Sequence, residues 1–259
     1  CSIISVLAMG LVAQVPDYSK AYFSGLDRPN AIQLEAAGKG PVILIVVDAL
    51  RPDRMGAYGA SRPTSPRLKE LADEGVIFTN YFVNSNWTRP VTATMLTGLM
   101  PSVHSVEQGT TRLEPEMITF PELLSDAGIP TGAVIGNGNG GSAFGLNQGF
   151  DYYADTVQHW KGLPNAKEVT DLAMPFIEKN RSKPFFLMLF LVDPHDPYHA
   201  PGKFETMFVR EPSVELIRTP HWELGRYSNR QVQRMLDTYD GAVRYTDTIL
   251  GQFFDRLKK

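Results

Sequence analysis

Two uninterrupted apolar runs, Pro41–Asp48 (PVILIVVD) and Phe185–Val192 (FFLMLFLV), constrain the fold of this 259-residue chain more than any other feature. Aliphatic residues without polar alternation are typical of strands buried on both faces of a parallel sheet. Parallel strands need long connections between them, and these are usually helices. We therefore predict an α/β fold with a mostly parallel sheet.

The remaining patterns fit this architecture. Apolar residues at helical spacing, and a proline that starts a helix, predict helices at Arg67–Glu74, Val91–Leu96, Pro121–Ala127, Ala166–Lys179 and Arg230–Leu257. Two shorter apolar runs predict strands at Val76–Val83 and Thr131–Ile135. We expect Asp247, on the last helix, to be structural.

Composition excludes several classes of protein. The chain is 43% apolar and 20% charged, which is ordinary for a globular domain, and its net charge of -3 argues against a nucleic-acid partner. Its single cysteine, Cys1, excludes an intrachain disulfide and a Cys-x-x-Cys metal site.

Residues 1–40 form a separate N-terminal lead-in. Its apolar stretch Ile3–Ala13 is shorter than the roughly 20 residues that span a bilayer. Three interpretations stay open: the remnant of a signal peptide or membrane anchor, an ordinary first helix, or a mature lipoprotein beginning at Cys1. We expect an exported protein, periplasmic, extracellular or membrane-anchored.

Polar residues follow several predicted strands. Asp48 ends the first run, Thr88 follows Val76–Val83, and His195 follows the last run. Ligands of open α/β sheets bind at the carboxyl ends of the strands. The Asp48 carboxylate and the Thr88 hydroxyl either cap backbone N–H groups or face a ligand there. Asn137, in the loop GNGNGG, either contacts a ligand or belongs to a plain flexible loop.

Four stretches together resemble the sulfatase family of the alkaline phosphatase superfamily. They are IVVDALRPDRMGAYG (Ile45–Gly59), NWTRPVTATMLTGLMPSVHSV (Asn86–Val106), LNQGFDYY (Leu146–Tyr153) and LVDPHDPYHAP (Leu191–Pro201). The resemblance implies an alkaline-phosphatase-like sandwich, with helices on both faces of a mostly parallel central sheet. It also implies an enzyme that cleaves or transfers sulfate or phosphate esters with a divalent metal, Ca, Mn, Mg or Zn.

The resemblance assigns the metal ligands and the nucleophile. Asp48 matches the family's first metal-binding aspartate, but Ala49 replaces the second. Thr88 lies nine residues before Thr97, at the position of the metal-bound nucleophile, which sulfatases build from cysteine or serine. Thr92 stands where their arginine is expected. A shifted register from Ser85 to Arg89 would restore serine and arginine but lose the proline and the distance to Thr97. Threonine as nucleophile resembles instead the phosphodiesterases, phosphonate hydrolases and phosphoglycerol or phosphoethanolamine transferases.

Further residues receive candidate roles, and those of His195 and His104 follow from the resemblance. His195 either protonates a leaving group or donates a hydrogen bond to the substrate. Arg89 either pairs with a non-bridging oxygen of the ester or lies in solvent. Asn137 and His104 are assigned to substrate binding, and we expect His104 to support its loop rather than react.

The sulfatase-like domain, residues 41–259, is expected to be incomplete at its C-terminus. The family's remaining metal ligands, an Asp-His or Asp-Asn pair, would lie beyond Lys259. We expect a hydrolase or transferase acting on a small-molecule, glycan or lipid ester. The alternative is an inactive module that binds an anionic glycan or a lipid head group.

Overall fold

The computed structural model describes residues 40–155, 164–217 and 227–259. Within them the chain forms one four-stranded sheet: β1 (Val42–Val47), β2 (Thr131–Ile135), β3 (Tyr152–Asp155) and β4 (Phe186–Leu191). The strand order is β1-β4-β2-β3 and every pair is parallel. In the register of the two long strands, Val42 lies opposite Phe186 and Val47 opposite Leu191. The predicted parallel α/β sheet is confirmed.

In the described ranges six α-helices accompany the sheet: α1 (Pro66–Glu74), α2 (Thr88–Thr97), α3 (Pro101–His104), α4 (Phe120–Asp126), α5 (Ala166–Asn180) and α6 (Asn229–Leu257). Three of them start with a capping box, in which the cap side chain and the side chain three residues on each bind the other's backbone N–H. The cap residues are Thr119, Asn165 and Ser228. Asp247 supports α1 from α6, because its carboxylate accepts the Leu68 N–H over 2.8 Å.

Strand β4 shows why helices cover both faces of the sheet. Its alternate side chains Leu187, Leu189 and Leu191 pack with α5 and α6 on one face. Phe186, Met188 and Phe190 pack with α2 and the residues around α4 on the other face. Every residue of β4 is buried, so a run without polar alternation is the pattern this position requires.

The strand predictions need correction at two places, one wrongly predicted strand and one strand that was not predicted. Val76–Val83 is irregular and exposed rather than a strand, with Phe82 84% and Val76 80% exposed. β-branched and aromatic residues favour a strand only when a neighbouring strand completes the hydrogen-bond ladder, and no described strand pairs with this segment. Conversely, Tyr152–Asp155 forms the short edge strand β3, which the pattern did not indicate.

One prediction falls almost wholly on residues that the structure does not describe. The N-terminal lead-in, with its signal-peptide, anchor and lipoprotein interpretations, lies outside the described residues apart from Gly40. Among the helices in the described ranges, none is both long enough and apolar enough to cross a membrane.

Candidate active site

Three polar side chains meet at the carboxyl edge of the sheet. The Thr88 hydroxyl donates to Asp48 Oδ2 over 3.1 Å. The Asn137 side-chain amide donates to the same Asp48 oxygen over 2.6 Å and to Thr88 Oγ1 over 3.2 Å. Each side chain therefore contacts the other two, and one carboxylate oxygen accepts two hydrogen bonds.

Each of the three residues reaches this edge by a different element. Asp48 follows β1, and its backbone N–H continues the ladder to the Leu191 carbonyl over 2.9 Å. Asn137 follows β2 closely. Thr88 is the first residue of α2, and Trp87 is its N-cap, with no side-chain cap bond. The threonine hydroxyl is thus directed at the carboxylate and does not cap the helix.

The loop after β2 is ordered by its own side chains. Asn137 Oδ1 accepts the Asn139 backbone N–H over 2.9 Å, which leaves the Asn137 amide nitrogen as the group that faces Asp48 and Thr88. Asn139 Oδ1 in turn accepts a hydrogen bond from Arg89 Nη2 over 3.0 Å. The glycine-rich loop is therefore built into the site and is not a plain connection.

Arg89 lies in neither of its two expected positions. It is 3% exposed, and its guanidinium packs 3.3 Å from the centroid of the Phe144 ring. Its Nη1 donates to the Gly109 carbonyl and, over 3.2 Å, to the Thr111 carbonyl. Burial lowers the pKa of this guanidinium. Arg89 is not a solvent group and does not line the pocket around Thr88, so its contacts join α2 to the loops on either side.

His195 lies at the mouth of the site. It lines the same open pocket as Asp48, Thr88 and Asn137, and its side chain is 38% exposed. Its Nδ1 is 2.7 Å from the Asp196 carbonyl oxygen and 3.1 Å from Asp196 Oδ1. Two acceptors beside Nδ1 favour the proton on that nitrogen, which leaves Nε2 for a ligand.

His104 lies away from the pocket, so direct substrate binding does not fit its position. It is fully buried; its Nδ1 accepts the Val106 N–H and its Nε2 lies 3.1 Å from Thr94 Oγ1. Burial lowers the pKa of the ring, which keeps it neutral. The expectation that His104 supports its loop agrees with these contacts.

The pocket itself is open and of about 680 Å³. Its walls combine the end of β1, the start of α2, the asparagine loop and the segment after β4. A smaller pocket of about 320 Å³ adjoins it and shares Ala49, His195 and Asp196. A ligand with a bulky second part has room beside the polar triad.

A tyrosine that the sequence analysis did not single out holds the turn after Asp48. Ala49 has φ 55°, the left-handed region that costs a non-glycine residue free energy. The Tyr239 hydroxyl donates to the Ala49 carbonyl over 2.8 Å and accepts the Arg51 N–H over 2.9 Å. Burial raises the pKa of Tyr239 to about 12. A tyrosine in the apolar stripe of α6 was the available signal, because a buried tyrosine needs a partner for its hydroxyl.

Asp193 lies two residues after the end of β4 and has a buried carboxyl group that is not fully hydrogen-bonded. It is 8% exposed and its Oδ2 is buried with no hydrogen-bond partner in the described part of the chain. Burial raises its pKa to about 7.

The donors at the triad suit a hard cation. Asp48 Oδ2 and Thr88 Oγ1 are oxygen atoms 3.1 Å apart. Carboxylate and hydroxyl oxygens are ligands for Mg, Mn and Ca, and adjacent ligands of one such ion lie about 3 Å apart. Within residues 40–155, 164–217 and 227–259, no group of three or more His, Cys, Asp and Glu side chains is placed to hold a metal ion.

Comparison with known proteins identifies the family. The Sulfatase family model matches residues 41–259, and the chain belongs to this family. It is 26% identical over 205 residues to the N-acetylglucosamine-6-O-sulfatase of Bacteroides thetaiotaomicron, covering 70% of this chain and 36% of that protein. The chain spans less than half the length of the first curated relatives it matches, with shares of 36%, 45% and 34%.

Solved structures share the fold. The phosphonate monoester hydrolase of Agrobacterium radiobacter superposes with a TM-score of 0.67 at 19% identity, covering 85% of this chain and 59% of that one. The lipoteichoic acid synthase LtaP of Listeria monocytogenes has a TM-score of 0.63 at 19% identity, covering 93% and 57%. The alkaline-phosphatase-like architecture expected from the sequence is confirmed.

Proposed function

We propose that this protein is a metal-dependent hydrolase or transferase of sulfate or phosphate esters, with Thr88 as its nucleophile. One observation carries the proposal: the Thr88 hydroxyl is hydrogen-bonded to the Asp48 carboxylate at the wall of an open pocket, 3.1 Å away, and caps nothing. A free hydroxyl is a weak nucleophile, so a partner that polarises it is the first requirement for attack.

Asp48 and Thr88 are the residues that would hold the divalent cation. When bound there, the cation would lower the pKa of the hydroxyl and offset the negative charge of the ester. Asn137 is not proposed as a ligand, because its Oδ1 is engaged by the Asn139 N–H and its amide nitrogen faces the triad.

The residues of the chain account for the bond changes. Thr88 Oγ1 forms a bond to the sulfur or phosphorus atom, its proton passes to the Asp48 carboxylate, and the bond to the ester's alcohol oxygen breaks. The protonated imidazole of His195 gives its Nε2 proton to the leaving alcohol. Water, or an acceptor alcohol in a transferase, then attacks the Thr88 ester, loses its proton to His195 and carries the group away. Thr88 recovers its proton from Asp48.

Asn137 and Arg89 have positioning roles in this proposal. The Asn137 amide donates to both reacting oxygens of the triad and keeps them in place. Arg89 positions the loop that carries Asn137, because it binds Asn139 of that loop and the Thr111 carbonyl.

Two observations favour different types of ester. Family membership and the named relatives favour a sulfate ester on a sugar. Threonine at position 88 favours a phosphate ester, because it is not the residue that sulfatases convert, and the named structural neighbours include a phosphonate monoester hydrolase. The phosphate or sulfate ester of a small molecule, glycan or lipid is the substrate class. The protein is also proposed to act outside the cytoplasm; one structural neighbour, EcEptC of Escherichia coli, is a periplasmic domain.

The test compares turnover of an aryl phosphodiester and an aryl sulfate, each with and without added Mn. Thr88→Ala should abolish turnover of the preferred ester, whereas Thr88→Ser should retain part of it. Thr97→Ala is the matched control, because the Thr97 hydroxyl contacts only nearby backbone groups: it donates to the Ala93 carbonyl and accepts the Leu99 N–H over 3.2 Å. Full activity in Thr88→Ala would overturn the assignment of the nucleophile.

A second candidate function is an inactive module that binds an anionic glycan or a lipid head group. The observations that favour it are Ala49, which supplies no carboxylate, and Thr92, which is buried and donates to the Thr88 carbonyl over 2.8 Å. Glycan binding that is unchanged by a chelator and by Thr88→Ala, without turnover of either ester, would support this alternative.

A further inference from the structure

A separate, positively charged pocket lies at the start of α6. Its volume is about 210 Å³, and its described lining is Arg210, Glu211, Arg230, Gln233, Arg234 and Asp237. None of these residues lines the pocket around Asp48 and Thr88. Three of the six are arginines, and two are carboxylates.

Both carboxylates of this pocket are already used. Glu211 Oε2 accepts from Arg230 Nε over 2.9 Å and from Arg230 Nη2 over 2.5 Å. Asp237 receives Arg62 over 2.7 Å, the Gln233 side-chain amide over 2.8 Å and the Arg210 backbone N–H over 3.2 Å, and Arg210 Nε lies 3.5 Å from Asp237 Oδ2. Their remaining capacity for a further arginine is therefore small.

Arg234 is the arginine of this pocket that takes no part in these contacts. Its Nε and Nη1 are buried, and neither has a hydrogen-bond partner in the described part of the chain. A guanidinium carries five N–H donors in a planar fork and stays charged, so buried unpaired donors cost free energy until an acceptor is supplied. An oxyanion in the pocket would supply two or more acceptors.

The position on the helix increases the positive potential. The N-terminal end of a helix carries a partial positive charge and normally attracts acidic residues. The first turn of α6 contains no acidic residue, and Arg230 lies within it. The Arg230 and Arg210 side chains are 67% and 58% exposed, so an anion can enter from solvent.

We propose that this pocket binds the sulfate or phosphate group of an anionic ligand, with Arg234 as its principal donor and Arg210 and Arg230 beside it. Planar guanidinium groups bind such oxygens with paired hydrogen bonds. The site needs neither Thr88 nor a cation, so it can be tested independently of the proposed reaction.

The experiment is a calorimetric titration of the protein with sodium sulfate, sodium phosphate and methyl sulfate, in chloride buffer of constant ionic strength. Arg234→Gln should weaken binding at least tenfold. Arg256→Gln is the matched control on the same helix, because Arg256 pairs with Asp171 at the surface over 2.6 Å, and it should leave the affinity unchanged. Thr88→Ala should also retain the binding that depends on Arg234. Binding of methyl sulfate would support recognition of an ester group, and binding of the inorganic ions alone would support a site for the free anion.

Two results would overturn the proposal. One is equal affinity of Arg234→Gln and the unaltered protein for all three probes. The other is binding that Thr88→Ala removes and Arg234→Gln does not, since the anion would then lie at the triad. If Arg234→Gln does not fold by circular dichroism, Arg230→Gln replaces it; a loss of at least threefold supports the pocket, and no loss contradicts it.

Discussion

Thr88 donates its hydroxyl hydrogen bond to Asp48 Oδ2 across 3.1 Å, although 40 residues of chain separate the two. The carboxylate ends a parallel strand and the hydroxyl begins a helix. Their contact orients the threonine oxygen within the wall of an open pocket and gives its proton an acceptor. The proposed chemistry begins from this pair.

Asn137→Ala should lower kcat about 100-fold, the typical effect of removing one preorganised donor from an active site. The amide binds both Asp48 Oδ2 and Thr88 Oγ1, so its loss leaves the nucleophile less well oriented. Steady-state kinetics on the preferred ester measure the effect. The exposed Asn147→Ala is the control. An unchanged kcat in Asn137→Ala would mean that the triad does not depend on this amide.

Arg89→Lys should reduce the free energy of unfolding by about 2–3 kcal/mol, the range for lost hydrogen bonds to a charged group. One ammonium cannot replace a guanidinium that reaches Asn139, the Thr111 carbonyl and the face of Phe144 together. Urea unfolding gives the value, and Arg112→Lys on the surface is the comparison. A difference below about 0.5 kcal/mol, the range of ordinary surface substitutions, would show that Arg89 contributes little to the fold.

Tyr239→Phe should destabilise the protein by about 1–2 kcal/mol, because it leaves the Ala49 carbonyl and the Arg51 N–H without their shared partner. The strained turn at Ala49 would also lose its support next to Asp48, so kcat should fall with it. Tyr245→Phe, which removes one hydrogen bond to Asn165 Oδ1, should leave kcat unchanged. Equal effects of the two variants on kcat would contradict a specific role for Tyr239.

Asp193 should make stability fall as the pH rises. Burial raises its folded-state pKa to about 7, whereas an unfolded aspartate has a pKa of about 3.9. Between these values the folded protein binds more protons than the unfolded chain, so the contribution of Asp193 is complete below pH 4 and lost through pH 7. Between pH 5 and pH 8 the loss amounts to about 3 kcal/mol, at 1.36 kcal/mol per pKa unit.

Asp193→Asn removes this titration while keeping the size of the side chain. Urea unfolding gives the free energy of unfolding of the variant minus that of the unaltered protein. This difference should increase by about 3 kcal/mol from pH 5 to pH 8. Asp126→Asn, at the exposed end of α4, controls for the loss of a carboxylate. The same pH dependence in Asp193→Asn and the unaltered protein would mean that the Asp193 pKa is not raised.

Local patterns predicted most of the secondary structure. The run Phe185–Val192 corresponds to β4, and Arg230–Leu257 corresponds to α6 within one residue. Apolar spacing and burial are properties of neighbouring residues, so a short stretch of sequence carries them. The prediction of a strand at Val76–Val83 was wrong because a strand also requires a distant partner strand, which the residues of the segment do not encode.

The sequence by itself determined the parallel α/β class, the family and the positions of the polar residues near the strand ends. Only the tertiary structure decided which polar groups meet. Packing of α2 against the sheet directs Thr88 toward Asp48 and turns Arg89 inward onto Phe144, although the two residues are adjacent in the chain. The physical reason is that successive side chains on a helix point about 100° apart, so the orientation of the packed helix assigns each residue its surroundings.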